Sequence, residues 1–351
     1  MKPTTIARYS QLFCILAASQ SMAQSTPTEF AQMSLQELFD QSIYDTDQQQ
    51  TQLSPWTLTY QYKAAEFGGY LDGTRALGYE DVLWNGQEGT RTDKNFPILP
   101  TKITQQAHIF ALGYQFNSRW QGHISLPYIK QETEHKSIVS NYNTFTISTD
   151  GIGDASISAS YNLIADKLRL SFGISLPTGS INEKGDTPRA SGDQQVPYTM
   201  QLGSGTYDFP IELSYQSNTV TNFNMNLSVN IRTGTNDRNY RLGNNYNLNG
   251  RYKIELSSGL QAFAGLSFQH SDSIHGQDNA LLVNGPYPYP AGITNPNFYG
   301  GKKVKVGLGI LCQVSKNYQI NIELAKPIYQ NLNGPQPKEK WRSSLYISKS
   351  I

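Results

Sequence analysis

The sequence predicts an all-β chain: a transmembrane, antiparallel, up-and-down β-barrel of about twelve strands behind a short N-terminal periplasmic leader. Three observations carry this expectation. Apolar and polar residues alternate with period two in segment after segment. The connections between those segments alternate between short and long. No apolar run approaches the ~20 residues of a spanning helix, so a membrane protein of this composition crosses the bilayer as a closed barrel. The chain of 351 residues carries 28 basic and 27 acidic side chains, and its 16% of charged residues falls well below the roughly 25% of a soluble domain. This near-neutral balance gives no footing for nucleic acid.

Residues 1–23 read as a secretory signal, with Lys2 and Arg8 ahead of the apolar core LFCILAA (12–18) and Ser21-Met22-Ala23 at the cleavage step. Cys14 should leave with it. Cys312 then stands without a disulfide partner or metal-ligand spacing and reads as an apolar strand residue. Residues 24–55 form the polar leader. Within it, Ser34 and Glu37 make a capping box in FAQMSLQELFDQSI (30–43). MSLQELF resembles the leader of energy-coupled outer-membrane receptors, and both a docked periplasmic helix and a disordered leader fit it. The barrel is expected over 56–351.

From Trp56 the alternation is regular. WTLTYQY (56–62) sets Trp56, Leu58, Tyr60 and Tyr62 on one face, and IFALGYQF (109–116) and WQGHISLPY (120–128) repeat the pattern. Such residues share one side of a strand. Apolar residues outside and small polar ones inside are how a barrel wall reads from lipid to lumen. The fourth and fifth strands are GIGDASISASYNL (151–163) and LRLSFGISLPTG (168–179), joined by IADK. Further strands lie at 207–215, 223–231, 246–254, 260–268, 304–312, 318–324 and 341–351. That makes twelve, an even number as bacterial barrels require.

The connections agree. Gaps at 117–119, 164–167, 217–221, 256–259 and 315–317 are short. Those at 63–103, 129–151, 177–205, 232–241, 270–301 and 327–340 are mostly long and read as outer loops. Trp56, Phe116, Trp120, Tyr161, Tyr215, Phe223, Tyr252, Tyr318 and Trp341 fall on the short-turn side as an aromatic girdle. Pro127, Pro177, Pro210 and Pro327 are expected at strand ends on the loop side, where a missing N–H is tolerated. The chain finishes LYISKSI rather than on an aromatic. Trp341, Leu345, Ile347 and Ile351 keep the spacing that the barrel assembly machinery would read, as a weak signal.

GIGD (151–154), SLPTG (175–179), LGSGTYDFPIELSY (202–215) and AKPIYQNLNGPQ (325–336) resemble the outer-membrane barrel family named after the meta-pathway of phenol degradation. The resemblance implies a transporter of small molecules, aromatic or hydrocarbon-like, in the outer membrane of a Gram-negative bacterium. Its partners would be outer-membrane lipid, the barrel assembly machinery and the solute. Such motifs specify a fold better than a substrate.

The solute path is expected past Asp154, Arg169, Glu212, Arg251, Lys305 and Glu323, inward charges that either set up a transverse field or pair and stiffen the barrel. The loop at 177–205 is expected to fold inward, with Tyr198 and Met200 meeting the solute, or else to lie over the rim. Tyr287, Tyr289 and Tyr299 offer aromatic faces at the mouth. His123 and Ser125 form a His-x-Ser pair of the kind that outer-membrane lipid hydrolases use. Here Ile124, Leu126 and Tyr128 claim the lipid face, which turns the pair inward. No catalytic residue, metal site or cofactor is assigned. A lipid-modifying barrel enzyme and a structural or assembly barrel are the alternative classes.

Overall fold

A computed structural model describes residues 54–165, 167–217 and 222–351. The expected signal and nearly all of the leader lie outside the described residues. In chain order the strands are β1 (Trp56–Gly73), β2 (Arg75–Leu77), β3 (Ile98–Gln115), β4 (Trp120–Ser137), β5 (Thr144–Ile152), β6 (Ser156–Ile164), β7 (Leu168–Ser175), β8 (Lys184–Asp186), β9 (Asp193–Gln195), β10 (Tyr207–Gln216), β11 (Phe223–Thr233), β12 (Tyr240–Arg241), β13 (Asn245–Ser257), β14 (Leu260–Ser271), β15 (His275–Gly276), β16 (Gly301–Ser315) and β17 (Tyr318–Ser350). The barrel wall runs β1, β3, β4, β6, β7, β10, β11, β13, β14, β16, β17 and closes from β17 back onto β1.

Each neighbouring pair in this ring is antiparallel, and such a ring closes only with an even number of legs. Eleven named elements satisfy the rule because the last one doubles back. The first part of β17 follows β16 from Ser315↔Tyr318 to Gly301↔Leu332. Its second part follows β1 from Gly73↔Leu332 to Thr57↔Ser350. Ser350 N–H donates to Asn317 O at 2.9 Å, so both ends of the 33-residue element meet at one rim. The reversal passes Gly334, whose φ of 87° suits glycine. Twelve legs therefore go up and down, as the alternation predicts.

The outer face carries the apolar residues of the pattern. Leu308 is 65% exposed and Leu324 59%, values that water would penalise and lipid does not. Cys312 takes an apolar place on this face, opposite Leu260 and Ile320. At the short-turn rim Trp56 meets Tyr114 edge-on at 4.6 Å and Trp120 meets Tyr161 at 4.7 Å.

Two expectations are corrected. Residues 129–151 are not a loop: β4 continues to Ser137 and pairs with β5 in a hairpin that rises above the wall. Along β4 the buried face continues without a break through Ile129, Gln131, Thr133 and His135. The outer face changes from Trp120, Ile124, Leu126 and Tyr128 to Lys130, Glu132, Glu134 and Lys136. The strand persists, but beyond Tyr128 its outer side meets water instead of hydrocarbon, so the apolar signal stops before the strand does. For the same reason β1 and β3 reach into 63–103, and β17 occupies most of 327–340.

The prolines are the second correction. Pro127, Pro210 and Pro327 lie within strands rather than at their ends, each where a ladder is interrupted. Pro127 sits where β4 changes partner from β6 to β5. Pro210 lies in the gap between Asp208↔Ser175 and Ile211↔Phe172. Pro327 marks the register shift of β16 against β17. A residue without an N–H is tolerated at such interruptions as it is at an edge.

The lipid face can be tested directly. Leu308→Arg lies mid-strand on that face and should cost about 2–4 kcal/mol of folding stability in bilayers. Thr146→Arg, on the outer face of the raised hairpin, should cost close to nothing. Urea titration of protein folded into vesicles measures both.

Candidate functional site: a roofed cavity inside the barrel

Three of the motif fragments meet in space. Between β5 and β6 the chain breaks for three residues, and there Asp154 turns its carboxylate toward the loop that joins β7 to β10. Asp154 Oδ1 accepts from Gly179 N–H, and Oδ2 accepts from both the backbone N–H and the hydroxyl of Ser204, all at 2.8 Å. Thr178 Oγ1 accepts from Ala155 N–H at 2.8 Å and donates to Gly153 O at 2.9 Å. The two ends of the loop cross so closely that a Cβ on Gly203 would lie 2.3 Å from Gly179 O. GIGD, PTG and LGSG thus form one clasp, fixed by charge-assisted bonds to a single carboxylate.

Beneath the clasp lies a cavity of about 100 Å³. Ile129 and Leu202 close it above, and Ser156, Ser158 and Ser171 line the wall below. The space exists because β6 and β7 present serines and Gly173 where neighbouring strands present longer side chains. The hydroxyls are paired, Ser125 with Ser156 at 2.7 Å and Ser160 with Ser171 at 2.9 Å. Glu212 reaches in from β10 and accepts from Ser214 Oγ at 2.7 Å. Asp208 forms a fully buried ion pair with Arg232 at 3.2 Å and accepts from Thr206 Oγ1 at 2.7 Å. The site is a small pocket with an apolar ceiling and a hydroxyl floor.

The sequence-selected charges do not gather at one point. Asp154 and Glu212 border the cavity. Arg169 lies on β7 and donates to Asn162 Oδ1 at 3.1 Å. Arg251 pairs with Glu323 and stacks over Phe263 at 5.0 Å. Lys305 Nζ donates to Gln269 Oε1 at 2.8 Å. His123 and Ser125 both project from the inner side of β4, and Ser125 borders the cavity. Sequence reading missed the serine floor, whose signal was Ser156 and Ser158 at alternate positions. It also missed Ile129 and Leu202, which fall in stretches read as loop.

Above the ceiling, the outer loops pack into a cap. Tyr198 meets Tyr240 at 4.8 Å and Tyr299 at 5.6 Å, both edge-on, and Leu242, Ile274 and Leu281 complete the cluster. Burial pushes all three phenols above their usual range. Met200 packs with Ile147 and Val196, and its sulfur accepts from Thr133 Oγ1 at 3.0 Å. Tyr198 and Met200 are 3% and 0% exposed, covered by their neighbours. Leu202 is the residue of this loop that borders the cavity. Three arginines from three loops converge on the segment between β15 and β16. Arg91 donates to Tyr289 O at 2.9 Å, Arg189 to Ala280 O at 2.7 Å, and Arg238 grips Asp278 at 2.5 and 3.0 Å. Arg91 also lies 5.0 Å above the Tyr287 ring.

The family model described as a putative MetA-pathway of phenol degradation matches residues 87–326, more than half of the chain. The chain belongs to this family. No curated protein matches it. Among solved structures, an outer membrane channel from Pseudomonas putida F1 is 15% identical with a TM-score of 0.53, over 87% of this chain and 98% of that one. A FadL homologue from Pseudomonas aeruginosa is 9% identical with a TM-score of 0.44, over 85% and 90%. CymD, a monoaromatic hydrocarbon channel, is 9% identical with a TM-score of 0.43, over 84% and 88%. The first shows that this phenol-degradation family member has the fold of an outer membrane channel.

One group of the roof responds to pH. His135 is buried on the inner face of the raised hairpin and stacks on Phe145 at 4.5 Å. Burial pushes its imidazole down to about 3, against an unperturbed value near 6.5. Between roughly pH 6.5 and 3 the unfolded state binds this proton and the folded state does not, so the hairpin loses stability as pH falls through that window. Cleavage of the 138–143 turn by an acid-tolerant protease should accelerate more between pH 7 and pH 5 in the wild type than in His135→Phe.

Proposed function

We propose that this protein is an outer-membrane channel for small amphiphilic solutes of about one ring, aromatic or hydrocarbon-like. The observation that carries the reading is the roofed cavity. An apolar cavity of ~150 Å³ holds a benzene ring. A space of about 100 Å³ is smaller than that, so it admits at most a single small ring and is too small for an oligosaccharide or an iron chelate. Its apolar ceiling and its serine and carboxylate floor match a molecule with one greasy side and one hydrogen-bonding group. The CymD likeness names a solute class of that kind for CymD. Export by the 1–23 signal, a leader in the periplasm and insertion by the barrel assembly machinery belong to the same reading. The paired serines are read as a binding surface rather than as nucleophiles, so no catalysis is assigned.

Recording from purified protein in planar bilayers tests this. The wild type should carry a small ion current that phenol and benzyl alcohol reduce in a saturable way and that glucose leaves unchanged. A Ser171→Leu variant, which fills the floor, should weaken the phenol effect by at least fivefold. A silent wild type, or equal block by glucose, would show the reading to be wrong.

A further inference from the structure

Leu202 occupies the junction between cap and cavity. It is 6% exposed, borders the cavity and packs on Ile129. The adjoining backbone is cut away to receive this pair. A Cβ at Gly151 would lie 2.8 Å from Leu202 Cδ1, and one at Gly153 only 2.4 Å from Ile129 Cδ1. The residues just ahead of Leu202 are pinned to the raised hairpin of β4 and β5. Gln131 Nε2 donates to Gln201 O at 3.1 Å and Thr149 Oγ1 to Met200 O at 2.8 Å. Just behind it, the Asp154 carboxylate holds Ser204. The backbone of Leu202 is thus fixed on both sides, while its side chain meets Ile129 of β4 through an apolar contact alone. Such contacts are non-directional, and a leucine changes rotamer without breaking any of the surrounding hydrogen bonds.

We propose that the Leu202–Ile129 contact is the gate between cap and cavity, and that Asp154 is the residue that positions it. The inference rests on the channel reading given above and adds where selection occurs. A solute with an apolar face replaces the contacts that the two side chains lose on parting. A hydrated sugar or ion must shed water there and finds no polar partner on either side chain. The gate therefore favours apolar and aromatic solutes before the serine floor is reached.

The test is a removable lock. Ile129→Cys and Leu202→Cys are combined in a Cys312→Ser background, cross-linked with a short bis-methanethiosulfonate, and checked by mass spectrometry. The cross-linked protein should lose at least nine-tenths of its ion current and of its phenol response, and dithiothreitol should restore both. Leu202→Ala should raise the current and reduce discrimination between phenol and glycerol. Asp154→Ala should conduct more than the wild type, and the same cross-link should close it as fully. A merely misfolded loop would not respond in that way. If the confirmed cross-link leaves current and phenol block unchanged in a conducting protein, the gate is elsewhere and the channel reading survives. A wild type that conducts nothing overturns both.

Discussion

A peptide group in hydrocarbon has no water to bond with, so every ladder of the wall must find a neighbour and the sheet must close. That constraint governs this structure. It brings the last strand back onto the first, with the second part of β17 against β1 and Ser350 beside Asn317. With every pair of the wall antiparallel, closure also needs an even number of legs, which is why the element of 33 residues is a hairpin. The wall leaves few places where a backbone bond is missing. The interruptions at Pro127 and Pro210 both border the cavity, together with Gly173. Where the ladder is incomplete and the side chains are small, the interior has room.

The cap solves a different problem. Outer loops face water and could satisfy their backbones there, yet here they bury tyrosines and aliphatic side chains against one another. The long guanidinium side chains hold this cluster together by donating to two carbonyls and a carboxylate of a neighbouring loop, which suits the planar fork of arginine. Roof and floor therefore differ in chemistry. The roof is an aromatic cluster clamped at its edges, and the floor is a row of paired hydroxyls.

Much of the fold was legible because a half-buried strand writes its two faces into alternate residues. Trp56, Leu58, Tyr60 and Tyr62 needed no structure to be placed on lipid. Legibility failed where the outer surroundings changed: past Tyr128 the same strand shows Lys130 and Glu132 to water, and a search for apolar alternation stops there. The cavity was largely hidden for another reason. Its floor joins Ser125, Ser156, Ser171 and Glu212 from four strands, and a single serine on a lumen face says nothing about its neighbours. The motifs could be read as a family mark. That Asp154 binds Gly179 and Ser204 could not, since 25 and 50 residues separate the partners. The Arg251–Glu323 pair spans 72 residues and was equally out of reach.

The segment between β15 and β16 also imposes an order of assembly. It receives Arg91 across 198 residues, Arg189 across 91 and Arg238 across 40. All three reach it from earlier in the chain and from different sectors of the ring. Contacts of such separation form only after the intervening loops have lost their freedom. Arg91 and Tyr289 come within reach when the two edges of the sheet are drawn together, so the cap cannot finish until the seam is nearly shut. A chain still threading into the membrane would show its tyrosine cluster and its serine floor uncovered, and the seal over the cavity would appear as the last event of closure.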